Sequence, residues 1–144
     1  MTHSYCRHWA HTVFTTKNRM PIIPRSADEQ IYDFIRQQLK DLECVPLAIN
    51  GMSEHIHLLY LANRTLSTSE ILQQVKGSTS FWINKNKIVP HKFAWQNGYG
   101  SFSVSESVVP VVKRYIDNQK SHHAKKTFQQ ECKELFGEVF IIQK

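Results

Sequence analysis

The sequence predicts an α+β fold of the ferredoxin-like type, in which helices cover one face of an antiparallel sheet. Strand-like and helix-like patterns follow one another in the order strand, helix, strand, strand, helix, strand, helix. The chain has 144 residues, of which 41% are hydrophobic and 11% aromatic, which suffices for a core and argues against disorder. Because nothing resembles a linker, we expect a single domain spanning 1–144.

The first two elements are a strand and a helix. The segment 5–16 alternates and is rich in aromatic and β-branched residues, which favours a strand. His8 and His11 fall on its opposite faces, so they cannot form a pair of ligands. Ser26 and Glu29 have capping-box spacing, which predicts that a helix begins there and ends near Glu43.

The next two elements are predicted to pair as a hairpin. A short apolar run covers 44–50, and a longer one covers 52–61. Between them stands Asn50-Gly51, a dipeptide typical of tight hairpin turns. We therefore expect the chain to turn at these two residues.

The second half continues with a helix, a strand and a helix. Ser67 and a glutamate three residues later predict a second capping box. The segment 101–104 has the pattern of a short strand. Ser105 or Ser107 can cap the last long helix, whose first turn tolerates Pro110.

Two further segments follow from helical spacing and hydropathy. Along the last long helix, a polar face is formed by Tyr115, Asn118, Gln119 and His122. From about residue 125 a short helical pattern leads to Gly137 and an apolar end, 139–142. We expect this tail to form a last strand or to pack on a partner subunit.

Composition narrows the functional classes. The formal net charge of +6 and the pI near 9.3 fit a polyanionic partner such as nucleic acid, although many basic proteins bind none. Cys6, Cys44 and Cys132 are odd in number and far apart, which argues against disulfides and zinc knuckles. No signal-peptide pattern and no apolar run of about 20 residues is present, so we expect a cytoplasmic protein without membrane association.

His55 and His57 are candidate metal ligands. On a strand they point to the same face, with Cβ atoms roughly 6–7 Å apart, so two imidazoles can converge on one divalent ion. Gln119 can add a hard carbonyl oxygen and leave coordination positions open, which suits Mg²⁺ or Mn²⁺ holding a phosphate. However, such a histidine pair in an apolar strand is more often a hydrogen-bonded part of the core.

Tyr115 is the candidate nucleophile. A phenol has a pKa near 10, against about 16 for water, so it ionises more easily. Its attack on a DNA phosphodiester would give a phosphotyrosine and release a sugar hydroxyl. One ester replaces another, so no ATP motif is required, and none is present. A helical tyrosine with glutamine four residues later is also common in simple packing.

Three motifs together resemble the HUH single-tyrosine transposases. They are Gly-Met-x-x-His-Ile-His-Leu-Leu at 51–59, Trp-Gln-x-Gly-Tyr-Gly-x-Phe-Ser-Val-Ser at 95–105 and Tyr-Ile-x-Asn-Gln-x-x-His-His at 115–123. This family contains small insertion-sequence enzymes and domesticated relatives that act on repeated extragenic palindromes. The resemblance extends from about Tyr5 to Phe136.

The resemblance implies a sheet like that of RNA-recognition motifs and a homodimer that recognises hairpins in single-stranded DNA. It also implies metal-dependent strand cleavage and rejoining through a 5′-phosphotyrosine. His55 and His57 match the metal ligands of the family, Tyr115 its nucleophile and Gln119 its third ligand. In this family the tyrosine helix can pack on the partner subunit, so each active site could be composite.

One dipeptide departs from the pattern of the family, and three basic residues are proposed independently of it. Relatives commonly have Pro-Asp where this chain has Ser53-Glu54. Lys76, Lys113 and Arg114 are candidate phosphate contacts because of their charge and their expected proximity to the proposed site.

Two other functions remain open, and a third lacks the residues it would need. The chain could be a domesticated transposase that acts on chromosomal palindromes. It could be a non-catalytic module whose binding to single-stranded nucleic acid survives chelation and loss of Tyr115. A small zinc hydrolase would need a closer set of ligands and a general base, which the sequence does not supply.

Overall fold

The computed structural model describes residues 4–122, 127–131 and 133–134. Its elements are β1 (Trp9–Thr15), α1 (Arg25–Asp41), β2 (Val45–Gly51), β3 (His55–Leu61), α2 (Thr68–Lys85), β4 (Gly100–Val104), α3 (Val109–Asp117) and α4 (Gln119–His122). Short 3-10 turns lie at Lys17–Arg19 and Glu106–Val108. The α+β class and the order of the elements confirm the sequence-based prediction.

The four strands form one antiparallel sheet in the order β2-β3-β1-β4. β3 therefore lies between β2 and β1. In the β1–β3 register, Val13 is opposite His57 and Thr15 is opposite His55. This pairing places both histidines on an inner strand, away from the sheet edges.

Both faces of the sheet are covered. The larger core joins α1 and α2 to Ile56, Leu58 and Tyr60 of β3. On the opposite face, α3 packs against Trp9 and Leu59. The sequence predicted helices on one face of the sheet, whereas α3 also covers the other face. The first six residues of β3 are therefore buried whichever way their side chains point.

The predicted cap of α1 was wrong, whereas that of α2 is confirmed. α1 begins directly after Pro24, whose extended backbone (φ −75°, ψ 148°) makes it the N-cap, so Ser26 lies inside the helix. The helix ends at Asp41, near Glu43 as predicted, and Glu43 itself has a left-handed φ of 58°. At α2, Ser67 and Glu70 exchange both capping-box hydrogen bonds.

The predicted position of the hairpin turn was also wrong. β2 continues through Gly51, and the turn lies at residues 52–54. A Cβ atom at Gly51 would lie 2.1 Å from the carbonyl oxygen of His55. Gly51 therefore serves the close approach of two strands and not a tight turn.

The predicted last long helix is divided in two. Neither candidate serine is its N-cap, because Ser105 precedes the 3-10 turn and Val108 precedes α3. Pro110 lies in the first turn as predicted. Asn118 (φ −97°, ψ 16°) separates α3 from α4, where the side chain of Asn50 donates to the carbonyl of Asp117 at 3.1 Å.

The predictions for Gly137 and for the apolar end, 139–142, concern residues outside those that the structure describes. Among the described helices, none combines the length and the apolar character needed to cross a membrane.

Candidate functional site

His55 and His57 form the centre of a buried cluster on the face of the sheet that α3 covers. Both side chains are fully buried. Their ring centroids are 5.1 Å apart and the ring planes meet at 79°. The alternation of β3 therefore brings the two imidazoles together, as the sequence predicts.

A neighbouring side chain holds the Nδ1 atom of each ring. Glu54 Oε1 lies 2.7 Å from Nδ1 of His55, and His11 Nε2 lies 2.9 Å from Nδ1 of His57. A carboxylate can only accept, so the N–H of a neutral His55 is on Nδ1. Such partners fix the orientation and the tautomer of histidines that bind metals through Nε2.

His11 is a member of the cluster that sequence reasoning missed. It lies opposite Leu59 on the strand next to β3, which puts it on the same face as His57. Burial, with a further contribution from nearby His57, lowers the pKa of His11 to about 3, so its ring is neutral at neutral pH. The sequence analysis compared His11 only with His8 on the same strand. The contact with His57 depends on how β1 pairs with β3, which the sequence does not give.

Two helices bring the other predicted residues to the histidines. Tyr115 of α3 is half-buried, with its ring centroid 5.8 Å from that of His57. Gln119 of α4 is fully buried, with Oε1 at 3.2 Å from His55 Nε2.

Glu131 completes the cluster, although sequence reasoning did not select it. Its Oε1 atom lies 2.5 Å from His57 Nε2 and accepts a hydrogen bond from Gln119 Nε2 at 3.2 Å. Ligand atoms of His55, His57 and Glu131 all lie within 4.8 Å of one another. No pattern in the sequence distinguishes this glutamate from nearby Glu134.

The segment 127–131 also covers the histidines. The ring of Phe128 stacks on that of His55, with centroids 4.2 Å apart and planes at 27°. The guanidinium of Arg19 lies 5.9 Å from the centroid of the Phe128 ring. Phe128 and Glu131 thus separate the two imidazoles from solvent on this side.

The donor atoms of the cluster fit a divalent cation. With its N–H directed at Glu54, a neutral His55 turns an Nε2 lone pair toward the Gln119 carbonyl oxygen. Turning the amide over would instead place that oxygen beside the Glu131 carboxylate. The 2.5 Å contact of His57 with Glu131 requires a proton, whose place a cation can take. Nitrogen and oxygen atoms of this kind are common ligands of divalent cations.

The three candidate phosphate contacts differ in position. Lys76 does not join the cluster: it lies on α2, and its ammonium donates to the carbonyls of Gln96 and Gly98 at 2.8 and 2.7 Å. Burial lowers its pKa. Lys113 and Arg114 lie on α3 next to Tyr115, where Lys113 also forms an ion pair with Asp117.

Comparisons with known proteins agree with this fold. A family model described as "Transposase IS200 like" matches residues 4–119. A solved structure from Deinococcus radiodurans R1, assigned as a transposase, has a TM-score of 0.63 and 22% identity, covering 83% of this chain and 96% of that chain. The structure of a REP-associated tyrosine transposase bound to a REP hairpin has a TM-score of 0.63 and 13% identity, covering 85% and 73%. At these identities the two structures show a shared fold. No curated protein matches this chain.

Proposed function

Because this chain belongs to the IS200-like transposase family, we propose that it cleaves and rejoins single-stranded DNA next to hairpins, with Tyr115 as the nucleophile. The observation that supports this most directly is the convergence of Tyr115, Gln119 and the histidine pair on one face of the sheet. A histidine pair that served only the core would not need a tyrosine and a buried glutamine beside it.

The reaction is a transesterification. The phenolic oxygen of Tyr115 attacks phosphorus, and the bond from phosphorus to the 3′ oxygen of the DNA breaks. The proton of the phenol leaves, and the released 3′ oxygen takes up a proton. The product is a 5′-phosphotyrosine, which a second 3′-hydroxyl can attack to rejoin strands.

Four residues would hold a divalent ion. They are His55 and His57 through Nε2, Gln119 through Oε1 and Glu131 through a carboxylate oxygen. When bound, Mg²⁺ or Mn²⁺ polarises a phosphoryl oxygen and orients the scissile bond. Glu54 and His11 would orient the two imidazoles from their Nδ1 sides. Glu131 is the one ligand that the sequence did not suggest.

Access of DNA to this cluster requires a change in its cover. His55, His57 and Gln119 have no exposed surface, and Glu131 has 1%. A scissile phosphate can therefore reach the histidines only if it displaces Phe128 or Glu131 from its contact with them. The segment 127–131 would shift, or the carboxylate would yield its position to the phosphate.

The proposed substrate is single-stranded DNA with hairpin ends. The net charge of +6 favours a polyanion. Lys113 and Arg114 lie on the same helix as the proposed nucleophile and are the candidate phosphate contacts there. The REP-associated relative in the comparison was bound to a hairpin. A homodimer and a role on chromosomal palindromes remain predictions from the resemblance.

A covalent-adduct assay tests the function. Labelled single-stranded DNA carrying hairpins from the flanks of the gene is incubated with Mn²⁺ or with chelator. We expect an adduct with wild type that requires Mn²⁺ and disappears in Tyr115→Phe. Tyr5→Phe, which changes a tyrosine that is 84% exposed, should form the adduct normally. Hairpin binding without any adduct would instead support the non-catalytic binding module.

A further inference from the structure

We propose that Lys120 is a positioning residue whose ammonium group anchors α4 to α1 and β2, and so holds Gln119 against the histidine pair. The inference rests on the proposed function, because it assigns a purpose to the placement of Gln119. Lys120 points away from the buried cluster, and it occupies an unspecified position of the family-like motif at 115–123.

The ammonium group of Lys120 has an unusually complete set of partners. It lies 2.6 Å from the carbonyl oxygen of Gly51, 3.1 Å from Asn50 Oδ1 and 3.2 Å from the hydroxyl of Tyr32. It also forms an ion pair with Asp28 at 3.1 Å. Three N–H groups thus face four oxygen atoms from two elements of the chain.

The partners on α1 are themselves suited to a permanent contact. The side chain of Asp28 is only 11% exposed, and a carboxylate in that position is costly unless a cation compensates it. Burial, followed by the nearby charge of Asp28, raises the pKa of Tyr32, which keeps its phenol neutral. The ring of Tyr32 also lies 5.3 Å from the ammonium, which adds a cation–π contact.

Asn50 connects this anchor to the end of the tyrosine helix. Its Oδ1 atom accepts from Lys120, and its Nδ2 atom donates to the carbonyl of Asp117 at 3.1 Å. Asn50 is the residue opposite His57 in the β2–β3 register. The junction between α3 and α4 therefore makes two contacts with β2, one through Asp117 and one through Lys120. β2 is the strand that pairs with β3, which carries both histidines.

The interruption at Asn118 explains why an anchor is needed. Its backbone (φ −97°, ψ 16°) leaves the helical conformation, so α3 does not by itself fix the direction of Gln119. The orientation of Gln119 therefore depends on tertiary contacts. Gln119 and Lys120 are consecutive, so their side chains leave the helix about 100° apart. A fixed ammonium on one side consequently sets the direction of the amide on the other side.

Lys120→Met tests the anchor, because methionine keeps an unbranched apolar side chain and removes the charge. In chelator, hydrogen exchange of the amides in 115–122 should become faster. Mn²⁺ affinity, measured by calorimetry, should fall about 10-fold, the lower end of the cost of losing a group that is bonded to a ligand itself. Hairpin binding in chelator should stay the same, whereas a general loss of structure would weaken it. Lys40→Met, at an exposed position on α1, should change none of these quantities.

A second variant keeps the test decisive if Lys120→Met does not fold. Tyr32→Phe retains the ring and removes one oxygen partner of the ammonium, so it should accelerate exchange in the same segment and weaken Mn²⁺ binding several-fold. Wild-type exchange rates in the folded variants would overturn the anchor. So would wild-type Mn²⁺ affinity in a protein that forms the DNA adduct. A wild-type protein that neither binds Mn²⁺ nor forms the adduct would refute the proposed function, while the exchange measurement would still decide the anchor.

Discussion

Glu131 places a carboxylate oxygen 2.5 Å from Nε2 of His57, and both side chains are buried. The same oxygen accepts a hydrogen bond from Gln119. The carboxylate therefore touches two of the three residues that the sequence suggests as metal ligands. Burying a carboxylate is costly unless other groups compensate its charge. A divalent ion shared with the histidines would provide that compensation.

Replacing Glu131 by glutamine should consequently weaken metal binding. The variant keeps the size of the side chain and removes its negative charge, which is a strong determinant of affinity for hard divalent ions. We expect a loss of Mn²⁺ affinity of at least about 10-fold by calorimetry, the lower end of what even outer-shell changes cost. Glu134→Gln, at an exposed position nearby, is the matched control. Equal affinities of the two variants would exclude Glu131 as a ligand.

Glu54 gives a second prediction, because it contacts His55 of the buried cluster from the Nδ1 side. Its Oε1 atom holds Nδ1 of that ring at 2.7 Å. Glu54→Ala should lower Mn²⁺ affinity about 10–100-fold without abolishing it, since the ligands themselves remain. Glu29→Ala, at an exposed position on α1, should bind Mn²⁺ like wild type. If Glu54→Ala bound Mn²⁺ equally well, the acid before the histidine strand would have no role in orienting His55.

Local patterns predicted much of the fold and part of the site. The capping box at Ser67 is confirmed, because both of its hydrogen bonds lie within four residues. His55 and His57 share a face because alternation is a property of the strand itself. By contrast, His11 reaches His57 through the β1–β3 register, which no local pattern encodes. Glu131 contacts His57 because the segment 127–131, which is distant in sequence, packs against β3. Neither contact could be predicted from local patterns.

The wrong prediction at Gly51 has a physical cause of a different kind. Glycine is favoured wherever the backbone needs freedom, and also wherever another backbone comes too close for a Cβ atom. Sequence alone does not separate these two uses. In this chain the second applies, since the carbonyl oxygen of His55 occupies the space beside Gly51. The dipeptide Asn50-Gly51 therefore resembles a turn signal while lying inside β2.

A pair of glycine substitutions tests this interpretation. Gly51→Ala places its Cβ 2.1 Å from a backbone oxygen, so the strands must move apart, and we expect a loss of about 1–3 kcal/mol in the free energy of unfolding. Gly77→Ala in α2 meets nothing within 4 Å, and should stabilise the protein by about 0.5–1 kcal/mol. Urea unfolding measures both. If Gly51→Ala left the free energy of unfolding unchanged, β2 and β3 would have space for a Cβ atom at this position, contrary to the interpretation.

The last prediction concerns acid and the start of α3. Glu106 accepts from Arg7 at 2.9 Å and from the indole of Trp9 at 2.5 Å. Its hydrogen bond with Arg7 is the main cause that lowers the pKa of Glu106 below its ordinary value of 4.5. The carboxylate therefore binds protons less readily in the folded protein than in the unfolded chain. Its contribution to stability is complete above pH 4.5 and disappears as the pH falls through the lowered value.

Glu106→Gln should flatten the acid side of the stability profile. Urea unfolding from pH 6 to pH 3 should show a smaller drop in the variant than in wild type, because the variant is less stable above about pH 4.5 and the two proteins converge below it. Glu29→Gln, on exposed α1 surface, should leave the profile as it is in wild type. Because Trp9 packs against α3 residues such as Val109 and Ile116, tryptophan fluorescence should report the same transition. Parallel profiles of Glu106→Gln and wild type would mean that the contacts with Arg7 and Trp9 do not stabilise the folded chain.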